Sequence, residues 1–346
     1  MNRRSLSWLI GILAVLAVLA GIFLLGQRDT RPADGLFIPG LKDDLNGISR
    51  IVVTGPGNAN VATLERGSDR WTVAGRNNYP ADVGRIRKNL LALAGARIVE
   101  EKTANPEFYD RLGVQDLSSP SASGLQLTIT GGRSPIELIV GLAQPGNPGL
   151  TYMRRAGEPG SWLVSAQLDL PRTGGEWLDR SVTDIPAERI ESVTIDHPGV
   201  ETLRISRAPT PDRPSDASPA PEGIVEFRVG GVPAGRELSY PGVANGVASV
   251  LADLQLEDAQ TREVLGANPG KPVVARFTTT DGLVVETSAW RLPDGTRVTF
   301  NATGKGEAAK EAETLNARLG GWVYTLPSYK TEQLTRRLQE LLAPAP

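Results

Sequence analysis

The side chains best suited to nucleophilic, acid–base and metal chemistry are scarce in this chain: it has one histidine, His197, and no cysteine. A thiolate nucleophile, a thiolate metal site and a disulfide are thereby all removed. His197 stands in "TIDHPG", behind Asp196 and before a proline and a glycine that mark a turn. A metal ligand or catalytic base needs partners, and no His/Cys constellation exists for it to join. It reads as a surface turn residue. The GxSxG elbow, the Walker A pattern and GxGxxG are missing as well. The loop "VGLAQPGNPG" has too many prolines to present a row of backbone N–H groups, and it reads as a hairpin loop.

Carboxylates are plentiful, but the pairs Asp43-Asp44 and Glu100-Glu101 are adjacent in charged surroundings and read as solvated faces. In "DRLGVQDLSSP", Asp110 and Asp116 are too sparse for a calcium loop. Trp71, Trp162 and Trp322 stand inside strand patterns as core anchors; the alternative is an aromatic cleft for glycan or peptide. "TYMRRAG" places Arg154 and Arg155 beside Tyr152, candidate contacts for an anion or a partner, with a polar hairpin tip as the plainer reading. No catalytic, cofactor-binding or metal residue is expected, and no cofactor.

The elements that would position these residues are mostly strands. "ISRIVVT", "ANVATLER" and "RWTVAG" alternate with period two between Gly/Asn/Asp breaks. "YPADVGRIRKNLLALAGARIVEE" then changes to helical spacing, with Val83, Ile86, Leu90, Leu93 and Arg97 on one face. Pro80 suits the first turn, and Asp82 caps it or complements its dipole. Strands return in "GLQLTITGG", "PIELIVGL", "TYMRRAG" and "SWLVSA", and a short segment around "GGEWLDRSV" closes the unit.

From residue 184 the series restarts. "ERIESVTID" matches "NGISRIVVT", and "SYPGVANGVASVLADLQLEDA" aligns without gaps on "NYPADVGRIRKNLLALAGARI", pairing Tyr79 with Tyr240, Ile86 with Val247, Leu90 with Leu251 and Leu93 with Leu254. Trp162 pairs with Trp322. Apolar positions coincide while surface residues differ, as packing of a shared fold demands. The expected architecture is α+β: two tandem repeats of a strand-rich unit, residues 48–183 and 184–346, each with antiparallel strands, an amphipathic helix, further strands and a short helix. Two segments lack a partner in the first copy. Residues 207–223 carry five prolines and read as a loop insertion, and residues 304–320 read as a polar helix. "SYKTEQLTRRLQELLA" closes the chain as an amphipathic helix with Leu334, Leu338, Leu341 and Leu342 inward.

Ahead of the repeats, Trp8 to Gly26 is a run of nineteen residues with neither charge nor proline. As a helix it spans about 28 Å, close to the hydrocarbon thickness of a bilayer. Because the apolar run continues past the small-residue site at Ala20, an uncleaved anchor is expected over residues 1–27, followed by a tether over 28–47. The short tail with Arg3 and Arg4 is read as cytoplasmic, and the bulk of the chain as periplasmic on a bacterial inner membrane. A net charge of -2 with 22% charged residues speaks against a nucleic-acid surface.

Trp71-Thr72-Val73, Tyr79-Pro80-Ala81-Asp82, the turn Tyr109 to Val114 and the strand Tyr152-Met153-Arg154 together resemble the bacterial family called domain of unknown function 4340, best over residues 48–180. The second copy departs from it, since Pro241-Gly242-Val243 answers Pro80-Ala81-Asp82. The resemblance carries no active site. It implies single-pass envelope proteins, some resembling auxiliary components of ABC-transporter or gliding-motility systems. The expected function is therefore a non-enzymatic, membrane-anchored periplasmic module that binds or scaffolds an envelope protein partner. The alternatives are a small-ligand protein with a pocket between the repeats, and an envelope hydrolase with a carboxylate-based site.

Overall fold

The computed structural model describes residues 35–208 and 225–344. The expected anchor, Trp8 to Gly26, and most of the proline-rich stretch lie outside the described residues. Among the described residues, no helix is long and apolar enough to cross a membrane.

The chain is α+β, rich in antiparallel strands and poor in helix. Its first part runs α1 (Leu41–Asp44), β1 (Arg50–Gly55), β2 (Ala59–Arg66), β3 (Trp71–Val73), β4 (Tyr79–Pro80), α2 (Val83–Ala94), β5 (Arg97–Glu101), α3 (Tyr109–Leu112), β6 (Leu125–Thr130), β7 (Ile136–Gln144), β8 (Asn147–Arg155) and β9 (Ser161–Ser165). After β10 (Ser181–Thr183) come β11 (Ile190–Asp196), β12 (Leu203–Arg207), β13 (Phe227–Gly230), α4 (Asn245–Ala248), β14 (Leu254–Gln255) and β15 (Asp258–Thr261). The chain then continues through β16 (Val273–Thr279), β17 (Val284–Leu292), β18 (Gly295–Thr303), α5 (Glu307–Leu319), β19 (Trp322–Thr325) and α6 (Ser328–Leu334).

Alternation explains the strands. In β6, Leu125, Leu127 and Ile129 are buried while Gln126, Thr128 and Thr130 are less so, the period of a sheet with one face on the core. In β11, Ile190 and Val193 are both buried although they lie three apart, because the pairing with β16 slips between Ile190 and Ser192.

One sheet has nine strands in the order β4-β3-β2-β1-β6-β7-β8-β9-β5, and the other has eight in the order β13-β12-β11-β16-β17-β18-β19-β15. Apart from β4, the second order is the first with ten added to every label. The outer pairs match in detail: Trp162 faces Glu101 in β5, and Trp322 faces Thr261 in β15. A small ribbon of β10 and β14 lies outside both sheets. A single apolar core runs through both sheets, with a satellite of Tyr109, Val114, Leu117, Ala122 and Ile139 beside it.

Three expectations about helices are corrected. Helix α2 starts at Val83, while Pro80 lies in β4 opposite Thr72. Ile86, Leu90 and Leu93 are buried, but Val83 is 42% exposed and Arg97 opens β5. The segment aligned with α2 in the second part forms only the single turn α4. Gly242 (φ 78°) and Asp253 (φ 42°) take left-handed backbone on either side, and no side chain caps α4. Its apolar residues, Val247, Leu251 and Leu254, are still buried, and the Lys330 ammonium donates to the carbonyls of Val250 and Ala252, both at 2.9 Å. Burial lowers the Lys330 pKa, since desolvation disfavours the charged form. Finally, the C-terminal helix stops at Leu334, and Leu338–Leu341 forms a separate 3₁₀ turn. All four inward leucines are buried nonetheless.

Asp82 is the N-cap of α2, its carboxylate accepting the Arg85 N–H at 2.9 Å. Asp82→Ala is expected to cost about 1 kcal/mol. The check is a urea midpoint that falls while the slope is unchanged.

Candidate functional site

Adjacent residues of a strand point to opposite faces, and this separates the two arginines of β8. Arg154 turns toward the satellite core, where Tyr152 also packs. Its guanidinium lies 4.7 Å from the Tyr109 ring centre, donates to the carbonyls of Val114 (2.9 Å) and Glu158 (3.0 Å), and pairs with Asp116. It is only 3% exposed. Arg155 turns the other way, over the rings of Phe37 and Trp162, and donates to the Phe37 carbonyl at 2.6 Å. Each arginine lines its own cleft of about 460 Å³. Tyr152 and Arg154 thus share a face and Arg155 does not, and the Arg154 donors are engaged in holding the 109–123 connection.

The join between the two sheets is filled by side chains. Tyr79 of β4 meets Trp322 of β19 edge to face, with ring centres 4.8 Å apart, and lies 6.3 Å from Tyr324. Arg76 pairs with Asp258 at 3.0 Å. The stretch 174–185 is bonded to both parts: the N–H of Asp82 donates to the Trp177 carbonyl and that of Asp179 to the Pro80 carbonyl, while the N–H of Leu256 donates to the Arg180 carbonyl. On the other side, Arg318 donates to the carbonyls of Ser181 and Val182. A Cβ on Gly175 would sit 2.4 Å from the Glu257 carbonyl, so this crossing requires glycine. Trp162 is buried as a core anchor; Trp71 and Trp322 are partly buried against the same core.

Burial raises the Tyr79 phenol to about 12, with Tyr324 as hydrogen-bond partner opposing the shift and the Asp179 charge adding to it; burial raises Tyr324 as well. The unfolded chain ionises these phenols near pH 10, and the folded one holds their protons longer. The Tyr79 contribution to stability is complete below pH 10 and is lost as pH rises from about 10 to about 12, and the loss from Tyr324 runs on to higher pH. Urea midpoints measured across that range are expected to fall, and the fall is expected to shrink in Tyr79→Phe.

A cleft of about 680 Å³ lies between the ends of β16, β17 and β18 and the C-terminal segment. His197 is among its lining residues and is 8% exposed, which corrects its reading as a surface turn residue. The C-terminal segment folds over the end of β11 and covers it. The His197 Nε2 lies 3.3 Å from the Arg336 carbonyl, which can only accept, so Nε2 carries the proton. Lys271, Arg291, Arg336 and Arg337 line the same cleft with Glu332 and Glu340. Glu340 accepts the Arg337 backbone N–H at 3.0 Å. Sequence reading missed this cluster because its members come from widely separated segments. The only local signal was the doublet Arg336-Arg337, read as part of a helix.

The adjacent carboxylates behave individually. Asp44 accepts the Arg133 N–H at 2.5 Å and so holds the β6–β7 turn, while Glu100 pairs with Lys102 at 2.6 Å. Among the described residues, no group of three or more His, Asp or Glu is placed to hold a metal.

Fold and clefts together define a two-sheet antiparallel α+β protein with a plugged central join and a basic cleft at one end of the second sheet. The family described as Domain of unknown function (DUF4340) matches residues 71–270, and the chain belongs to it. The match starts at β3 and runs past residue 180 through β15, across the boundary expected at 183/184. No curated protein and no solved structure matches the chain.

Proposed function

We propose that this protein is a membrane-anchored module of the bacterial periplasm, without catalytic activity, that binds or scaffolds an envelope protein partner such as an ABC-transporter complex. The observation that carries the reading is the joining of two like-ordered sheets on one core. Such a body presents large, fixed faces, and the apolar run Trp8 to Gly26 would hold them next to a membrane. The equal strand order also supports descent of the two parts from one duplicated unit, with β4 as the part the second copy lacks.

The test is photocrosslinking in cells from the exposed apolar positions Val99, Leu142, Val200 and Tyr240. A single recurrent membrane-complex partner from one face is the expected result. Adducts spread over abundant bystanders from every position would sink the scaffold reading. Reporter fusions at the C-terminus check the orientation, and a cytoplasmic reporter signal would overturn the periplasmic placement.

A further inference from the structure

We propose that the cleft under the C-terminal segment is a binding site for an oxyanion-bearing ligand, a phosphate group carried on a small organic body or on a lipid headgroup.

The first support is the distribution of unpaired charge. Several arginines elsewhere are matched by carboxylates: Arg85 pairs with Asp169, Arg154 with Asp116, Arg189 with Glu311 and Asp281, and Arg276 with Asp196 and Glu286. In the cleft, Lys271, Arg291, Arg336 and Arg337 form no ion pair with any described carboxylate, although Glu332 and Glu340 share the lining. The whole chain carries a net charge of -2, so four cations against two carboxylates in one concavity is a local concentration. Like charges gathered without a counter-ion repel one another, and a bound anion would remove that cost.

The second support is an unmet donor. The Arg336 Nε is buried and has no hydrogen-bond partner, and leaving a buried donor unpaired costs roughly 1–3 kcal/mol. The guanidinium is a planar fork suited to two oxygens of one phosphate or carboxylate. Lys271 and Arg291 come from the strand region and Arg336 and Arg337 from the C-terminal segment, so the cations of this lining are supplied by separate parts of the chain.

Size and composition narrow the ligand. A cleft of about 680 Å³ exceeds what a bare phosphate fills, which leaves room for a neutral body behind the anionic group. The two glutamates in the lining disfavour a long polyanion such as nucleic acid, since they would face its phosphates. The site stands apart from the scaffold reading, and failure of either leaves the other in place.

The experiment uses the full-length chain in zwitterionic detergent. Pyrophosphate and glycerol phosphate are titrated against Tm, with sodium chloride at matched ionic strength as control. Binding to the folded state raises Tm with the logarithm of ligand concentration above Kd. The expected result is a rise specific to the phosphates. In Lys271→Gln/Arg291→Gln, both changes at exposed side chains, the apparent affinity is expected to fall at least tenfold while the ligand-free Tm is no lower than that of the parent, since two mutually repelling cations are gone.

A second arm compares vesicles of phosphatidylglycerol with vesicles of phosphatidylcholine. A wild-type preference for phosphatidylglycerol that the double variant loses assigns the phosphate to a lipid headgroup. Stabilisation by pyrophosphate without that preference assigns it to a soluble ligand. A Tm that follows ionic strength alone, together with no difference between wild type and variant on vesicles, overturns the proposal. So does equal affinity in the two proteins.

Discussion

Tyr79→Ala is expected to lower the stability of the protein by about 3–5 kcal/mol, the range for deleting a large aromatic side chain from a core. The residue is 3% exposed and has Trp322 and Tyr324 against its ring, both from the other sheet. Deleting it opens a cavity at the join, where neighbours cannot collapse because β4 is tied through Pro80 to the N–H of Asp179. Since one core serves both sheets, the loss is expected in every spectroscopic probe together. The measurement is urea unfolding followed by tryptophan fluorescence and by far-UV circular dichroism. Coincident transitions at a lower midpoint are expected, whereas a loss below about 1 kcal/mol would show that the join contributes little. Tyr79→Phe keeps the ring and loses the hydroxyl, at an expected cost of about 1 kcal/mol.

Arg154→Ala is expected to cost about 3 kcal/mol, through the carbonyls it leaves behind. The Asp116 side chain is 74% exposed and can turn to water, so Asp116→Asn is expected to cost under about 1 kcal/mol. The Val114 carbonyl accepts from a guanidinium that is itself nearly inaccessible, and Glu158 is held by the same fork. Arg154→Lys is not expected to rescue, because one ammonium cannot reach Val114, Glu158 and Asp116 in the directions that a planar guanidinium does. Hydrogen exchange should localise the damage: amides of residues 109–123 lose protection in Arg154→Ala while those of β16–β18 keep theirs. Equal losses in both places, or a lysine variant as stable as the parent, would refute the strut.

The strands were readable wherever one face meets the core. The alternation of β6 and β11 is written in their residues, and the cross-match between "ERIESVTID" and "NGISRIVVT" falls on β11 and β1, which hold equivalent places in the two sheets. Helix α2 was readable from Asp82 and the spacing of Ile86, Leu90 and Leu93. Its aligned partner was not, because the same apolar spacing survives in a chain of turns when Gly242 breaks the helix and Lys330, some eighty residues on, satisfies the carbonyls. Tyr79 and Tyr240 show the limit of alignment: paired in sequence, one is 3% exposed and the other 59%. Arg154 and Arg155 read as one patch because they are neighbours, but strand geometry sends them to opposite faces.

The amino-acid sequence by itself determined the α+β class, the family, most strand positions and the apolar run at the start of the chain. These follow from local periodicity, which burial of one face imposes on neighbouring residues. Only the tertiary structure decided that the two sheets share a core, that aromatic rings fill their join, and that His197, Lys271, Arg291, Arg336 and Arg337 surround one cleft. Contacts between residues more than a hundred positions apart leave no mark in local spacing, because they depend on how finished sheets and the closing segment pack against one another.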